Sequence, residues 1–232
     1  PDKTLLGYKS QISRSRHPAE IILLGDSSCA ADVDARKLAQ LLPGQPPTLN
    51  LGLIIGLGLD TYRQTGADFI AANPGQVRMA VLLLTPQNLK NEDGSSYHAE
   101  MWKNLRAGEP GVAARTASIE TVLGIPIFRQ RLLSSFLHAP LKHKAGGHYG
   151  FASTFGDYLT AHHGSMIDPA SYESPGFRFQ TDYTLSPALE KESRRWRDSL
   201  PAGIKFAVGI TPVPESHQTR EYERQHRELL RQ

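Results

Sequence analysis

Four short, mostly apolar runs mark the chain, and they predict the strands of a sheet. All but the second are almost continuously apolar, which is typical of parallel strands that helices cover on both faces. The sequence therefore predicts a buried parallel sheet. The four runs are EIILLG at 20–25, PTLNLG at 47–52, VRMAVLLL at 77–84 and IKFAVGI at 204–210.

Stretches with helical patterns lie between these runs. Residues 30–42 connect the first two runs, residues 59–72 connect the second to the third, and residues 187–199 lead into the fourth. This alternation predicts an α/β fold, in which a doubly wound parallel sheet with right-handed crossovers forms a three-layer α/β/α sandwich of the flavodoxin-like type. A charged helix is predicted over 216–232.

The regular alternation stops after the third run. Residues 90–185 carry scattered Gly, Pro, Ser and His, with one amphipathic helix predicted over 126–138. Pro126 suits the first position of that helix, and its leucines and phenylalanines form an apolar face. We interpret 90–185 as a long insertion that caps the sheet within a single domain of 232 residues. Insertions of this kind commonly form lids or partner surfaces.

The composition excludes several classes of protein. With 39% hydrophobic and 21% charged residues, the chain is an ordinary globular protein. Its 26 basic and 23 acidic residues are interspersed, so we predict no nucleic-acid partner. Cys29 is the single cysteine, which excludes an internal disulfide and a cysteine-based metal site. No apolar run approaches the 18 residues or so of a membrane span.

The nine histidines do not have the spacing of a metal site. His143 and His148 are five positions apart across two glycines, which gives no shared helix face, and the adjacent His162 and His163 point apart. We predict no metal and no cofactor.

Candidate chemistry begins where the first strand runs into GDSS at 25–28. Ser27 lies at a strand-to-helix turn, where open α/β sheets bind ligands. The serine is either a nucleophile or a helix N-cap, a role that Ser and Asp commonly fill. The residues at the ends of the second and third strands favour the role of nucleophile for Ser27. Gly52 offers an amide that a ligand can approach closely, and Gln87 and Asn88 offer NH2 donors. Acyl transfer needs one hydroxyl with several such donors.

These residues resemble the motif blocks of the SGNH (GDSL-type) hydrolase superfamily. GDSS at 25–28, NLG at 50–52 and ITPVPES at 210–216 look like that family's first-strand, second-strand and fourth-strand ends. The wider pattern, LLGDSSCAADVDARKLAQLLP followed by NLGLIIGLGLDTY, is similar to the subset associated with bacterial cell-surface polysaccharides and their O-acylation. The resemblance does not extend over the 90–185 insertion.

The resemblance implies a role for each matching residue. Ser27 is the expected nucleophile, and its own amide, the Gly52 amide and the Asn88 carboxamide are the expected oxyanion donors. The third block is TPQN at 85–88, without the family's Gly and Asp, so Gln87 is an alternative donor to Asn88. Asp26 and Gln87 are expected to bind substrate. His148 and His163 lie in the predicted cap, outside the resemblance, and are expected either to contact a polar substrate or to act as the base.

The histidine base is the incomplete part of the motif. Serine needs a histidine to take its proton, and the histidine needs a carboxylate to orient it. The family's Asp-x-x-His block does not occur here. Either His217, with Glu215 two residues before it, is the base, or a fifth strand and the catalytic pair lie beyond residue 232. We favour the second, because TPVP resembles the end of the family's fourth strand.

The sequence therefore predicts a serine esterase or O-acyltransferase that acts through a Ser27 acyl-enzyme on O-acetyl groups of a carbohydrate. The resemblance implies an acyl-ester or carbohydrate substrate, a membrane acyl-donor protein as partner, and a periplasmic or cell-envelope location. The alternative is a non-catalytic SGNH-like saccharide-binding or assembly protein. A third hypothesis is a phosphate- or nucleotide-binding protein that uses the GDSS turn to bind an anion. The sequence has no Walker-type lysine to support it.

Overall fold

A four-stranded, all-parallel sheet flanked by helices forms the centre of the protein. The computed structural model describes residues 2–54, 57–85, 96–106, 158–166, 187–211, 220–229 and 231. Each apolar run of the sequence contains one strand, so the predicted α/β class with a parallel sheet is confirmed. The strands are β1 (Ile21–Gly25), β2 (Thr48–Asn50), β3 (Met79–Leu84) and β4 (Lys205–Ile210).

The helices agree with the sequence patterns in part. The helix predicted over 30–42 is two short helices, because the chain is extended at Val33 and Asp34 and the Asp34 carboxylate then starts a new helix. In the described chain, no helix is both long and apolar enough to cross a membrane. The helices are α1 (Asp2–Ile12), α2 (Ser27–Asp32), α3 (Ala35–Leu41), α4 (Gly58–Ala72), α5 (Ser96–Arg106), α6 (Pro187–Ser199) and α7 (Arg220–Leu229).

The strand order creates a crevice beside β1. The order is β2-β1-β3-β4, so the chain moves outward from β1 to β2 and then crosses back to place β3 on the other side of β1. In open parallel sheets, ligands bind outside the carboxyl ends of the strands at such a reversal. The last paired residues of β1 and β3 are Gly25 and Leu83. The segments that follow them border the crevice.

The two faces of the sheet pack against different helices. Ile22 and Leu24 of β1 belong to the larger apolar cluster, which includes side chains of α1, α4 and α6. Leu23 points the other way and packs with Cys29 of α2 and Ala35 of α3. Side chains of adjacent strand residues point to opposite faces, and each leucine buried in this way stabilises the fold by about 1.5–3 kcal/mol.

Two described pieces of the predicted 90–185 insertion pack onto the rest of the protein. Helix α5 contacts α1, and Arg14 donates to the carbonyl of Arg106 at 2.6 Å. Arg106 also forms an ion pair with Asp68 of α4 at 2.7 Å. The second piece is the 158–166 segment, which lies at the edge of β2. The extent of the insertion stays a prediction, and the helix predicted over 126–138 lies outside the described residues.

Candidate active site at Ser27

Ser27 is the first residue of α2 and lies next to the carboxyl end of β1. The N-cap of α2 is Asp26, whose carboxylate accepts the backbone N–H groups of Ser28 at 3.0 Å and Cys29 at 3.4 Å. The Ser27 side chain is partly exposed, and its hydroxyl makes no hydrogen bond to any described residue. The capping role that the sequence left open for Ser27 therefore belongs to Asp26.

The Asp26 carboxylate connects the turn after β1 to the residue after β3. Asp26 is fully buried. Its Oδ1 accepts the two α2 amides, while its Oδ2 accepts the backbone N–H of Thr85 at 2.8 Å and the Thr85 hydroxyl at 3.1 Å. The side chain predicted to bind substrate is thus enclosed by donors of the protein itself. A substrate can reach it only by displacing them.

Gly25 makes the tight approach of β1 to β3 possible. Its φ of +150° lies where side-chain-bearing residues are strained. A Cβ at this position would overlap the carbonyl oxygen of Leu83. The glycine of the GDSS motif is therefore required by the backbone geometry that leads into Ser27.

Gly52 lies beside α2, but Asn50 occupies its amide. The Gly52 N–H donates to Asn50 Oδ1 at 2.8 Å, and Asn50 Nδ2 donates to the carbonyls of Cys29 at 2.7 Å and Val33 at 3.0 Å. A Cβ on Gly52 would lie 2.7 Å from the backbone nitrogen of Ala30. Gly52 can stabilise an oxyanion only if Asn50 Oδ1 releases its amide.

A buried lysine holds the 158–166 segment against the edge of β2. Lys9 Nζ donates to the carbonyls of Asn50 and Gly164, both at 2.6 Å, and the Asn50 N–H donates to the His163 carbonyl at 2.8 Å. Desolvation of this fully buried ammonium lowers the pKa of Lys9 to about 7. The sequence analysis did not identify Lys9, and it gave Asn50 only as part of the NLG block, without its contacts. No local spacing pattern marks them.

The His163 ring lies away from Ser27. Its Nδ1 is 3.2 Å from the carbonyl oxygen of Thr48, which pairs with Ile21 at the amino end of β1. Ser27 follows the carboxyl end of β1, which lies four residues beyond Ile21. The His163 ring and Ser27 are therefore separated by about 13 Å along the strand direction. The structure does not bring His163 to the serine.

Four predicted site residues lie outside the described residues: Gln87, Asn88, His148 and His217. Their roles stay predictions. Of the others, Ser27 and Asp26 lie at the start of α2, and Gly52 lies against Cys29 and Ala30 of the same helix. The structure adds Thr85, which is bonded to Asp26. Within the described ranges, no group of three or more His, Cys, Asp or Glu side chains could hold a metal ion.

Burial keeps the nearby thiol and phenol protonated. Burial, followed by the charge of Asp26, raises the pKa of the Cys29 thiol well above its usual range. The same two causes, in the same order, raise the pKa of the Tyr62 hydroxyl. Cys29 is fully buried and protonated, so it does not compete with Ser27 as a nucleophile.

Comparison of the chain with models of protein families, with curated protein sequences and with solved structures finds no match. The similarity to the SGNH motif blocks therefore rests on the residues of this chain.

Proposed function

We propose that the protein is a serine-dependent ester hydrolase or O-acyltransferase of the SGNH type. The observation that carries the proposal is the position of Ser27. The serine follows the strand at which the strand order reverses, its side chain is partly exposed, and Asp26 supplies the helix cap in its place. A hydroxyl that the helix does not use, at a ligand-binding edge of the sheet, is suited to attack a bound ester.

The chemistry is a double displacement at the acyl carbon. The Ser27 oxygen attacks the ester carbonyl while a histidine takes its proton, and the tetrahedral intermediate then expels the alcohol, which receives that proton. Water or a sugar hydroxyl attacks the acyl-enzyme in the same way and releases an acid or a new ester. His217, with Glu215 two residues before it, is the proposed base.

The first turn of α2 offers one open donor for the oxyanion. Asp26 takes the N–H groups of Ser28 and Cys29, and the Ala30 N–H donates to the Asp26 carbonyl. The Ser27 N–H has no acceptor among the described residues. The amide of the nucleophile itself is therefore the proposed first donor, and Asn88 is the proposed second.

The substrate class follows from the motif resemblance. The stretches at 23–43 and 50–62 are similar to proteins associated with O-acylation of bacterial cell-surface polysaccharides. We therefore propose O-acetyl groups of a carbohydrate as substrate, with a membrane acyl-donor protein as partner if the reaction is a transfer.

Covalent labelling tests this function directly. Incubation with a fluorophosphonate probe, followed by intact-mass measurement, should show one adduct per chain that is absent in Ser27→Ala. The wild type should also release acetate from an acetylated polysaccharide, and Ser27→Ala should not. An adduct that persists in Ser27→Ala, or no adduct on the wild type, contradicts the proposal.

One observation favours the non-catalytic alternative. The Gly52 amide, an oxyanion donor in the resemblance, is bonded to Asn50 Oδ1. A saccharide-binding or assembly protein would need no oxyanion hole. Such a protein would bind an acetylated polysaccharide saturably. Neither the wild type nor Ser27→Ala would form a probe adduct or release acetate.

A further inference from the structure

We propose that Asp26 is a positioning residue for Ser27, which fixes the nucleophile relative to the end of β3 across the crevice. The inference rests on the proposed function of Ser27. It is based on the different hydrogen-bond partners of the two carboxylate oxygens of Asp26. Oδ1 holds the first turn of α2, and Oδ2 holds both donors of Thr85.

The carboxylate extends the connection between β1 and β3 beyond the last pair of the sheet. That pair is Gly25 with Leu83. Beyond this pair, the backbone carbonyls bond the segments that follow the two outer strands. Gly25 accepts the N–H of Leu53, which follows β2, and Leu84 accepts the N–H of Thr211, which follows β4. The bonds from Asp26 to the donors of Thr85 therefore hold the two segments together at the level of Ser27.

The energetics of these bonds suit a rigid connection. Hydrogen bonds to an ionised carboxylate are stronger than bonds between neutral groups. Asp26 is buried and Thr85 is partly exposed, so removing the acceptor leaves the Thr85 donors unsatisfied or bonded to water, and either result loosens the connection between the two segments. Displacement of a reacting group by about 1 Å can lower a rate by about a hundredfold.

Asp34 provides a matched comparison, since it has the capping role of Asp26 without the second contact. Its carboxylate accepts the N–H of Lys37 at 3.0 Å and caps α3, the next helix. In the described chain it makes no bond to another strand. Replacement of either aspartate by serine retains a capping oxygen, because serine is a good N-cap. Only Asp26→Ser also loses the acceptor of Thr85.

The test is the kinetics of fluorophosphonate labelling at Ser27, measured on the full chain over a range of probe concentrations. For Asp26→Ser we expect the maximal labelling rate to fall by about tenfold or more, with the half-saturating probe concentration changed by less than about twofold. For Asp34→Ser we expect both values within about twofold of the wild type. If Asp26 were only a helix cap, the labelling rates of the two variants would change equally.

The outcomes separate the inference from the proposed function. A wild type that is not labelled at Ser27 refutes the function and the inference with it. A labelled wild type with an undiminished Asp26→Ser, or with an equally slow Asp34→Ser, overturns the inference alone.

A second variant decides the question if Asp26→Ser does not fold. Thr85→Val removes one donor to Oδ2 and retains the backbone N–H, so the maximal rate should fall by about threefold or more. Its control is Thr65→Val, where a buried hydroxyl donates within α4 to the carbonyl of Thr61 at 2.8 Å. A wild-type rate in Thr85→Val overturns the inference.

Discussion

The ammonium nitrogen of Lys9 lies 2.6 Å from the main-chain oxygen of Asn50, in the interior of the protein. The second acceptor is the carbonyl of Gly164, also at 2.6 Å. These two acceptors are neutral carbonyls that a neutral amine can also satisfy, whereas burial penalises the charged form. Desolvation therefore lowers the pKa of Lys9 to about 7, and the smaller opposing interaction with Cys29 does not offset it.

Stability should consequently rise with pH above neutrality. The pKa of Lys9 is about 7 in the folded protein against an ordinary value of 10.5, so between these values the unfolded chain binds a proton that the folded chain does not. The free energy of unfolding should then increase by up to about 1.4 kcal/mol per pH unit. Below about pH 7 both states are protonated and the slope disappears.

Urea unfolding between about pH 7 and 8.5 measures this slope. The pKa of His17 is lowered by burial, so it titrates below the window, while the raised pKa of Cys29 opposes the trend only above the ordinary thiol value of 9.0. Lys9→Met should remove most of the slope. An unchanged slope in Lys9→Met would show that another group causes it.

Gly52→Ala should destabilise the protein by about 1–3 kcal/mol, the usual cost of forcing extra atoms into a packed site. Its Cβ would lie 2.7 Å from the Ala30 nitrogen and 3.0 Å from the Cys29 sulfur. Gly7→Ala is the control, because its Cβ meets nothing within 4 Å in helix α1, where alanine should stabilise by about 0.5–1 kcal/mol. Equal stability of the two variants in urea unfolding would contradict the close packing of Gly52 on α2.

Asn50→Leu should accelerate hydrogen exchange at the Gly52 amide. The substitution removes the acceptor of that amide and the donors to Cys29 and Val33, at a cost of about 1–3 kcal/mol. Asn73→Leu is the control, because Asn73 is a similarly buried side chain that bonds His17 and Ser15 instead. Both variants should lose stability, and only Asn50→Leu should expose Gly52. Unchanged exchange there would refute the role of Asn50.

The sequence pattern predicted the sheet well because burial on two faces leaves a local signal, a continuous apolar run. The pattern could not predict whether Asp26 or Ser27 caps the helix, because both residue types cap helices. The backbone conformation of the turn determines which of the two does so. The contacts of Lys9 join positions 41 and 155 residues apart. Such contacts depend on how the segments pack, and neither periodicity nor spacing contains that information.

Ser27→Ala should remove all labelling by the fluorophosphonate probe and leave stability within about 0.5 kcal/mol of the wild type. The hydroxyl makes no hydrogen bond to a described residue, and Asp26 retains the cap of α2. Ser165→Ala is the matched control, because the buried Ser165 hydroxyl accepts the N–H of Ala35 at 2.9 Å. That variant should lose about 1 kcal/mol or more in urea unfolding and keep the labelling. A loss in Ser27→Ala equal to that in Ser165→Ala would mean that the Ser27 hydroxyl serves the fold, and the case for a nucleophile would then lose its main support.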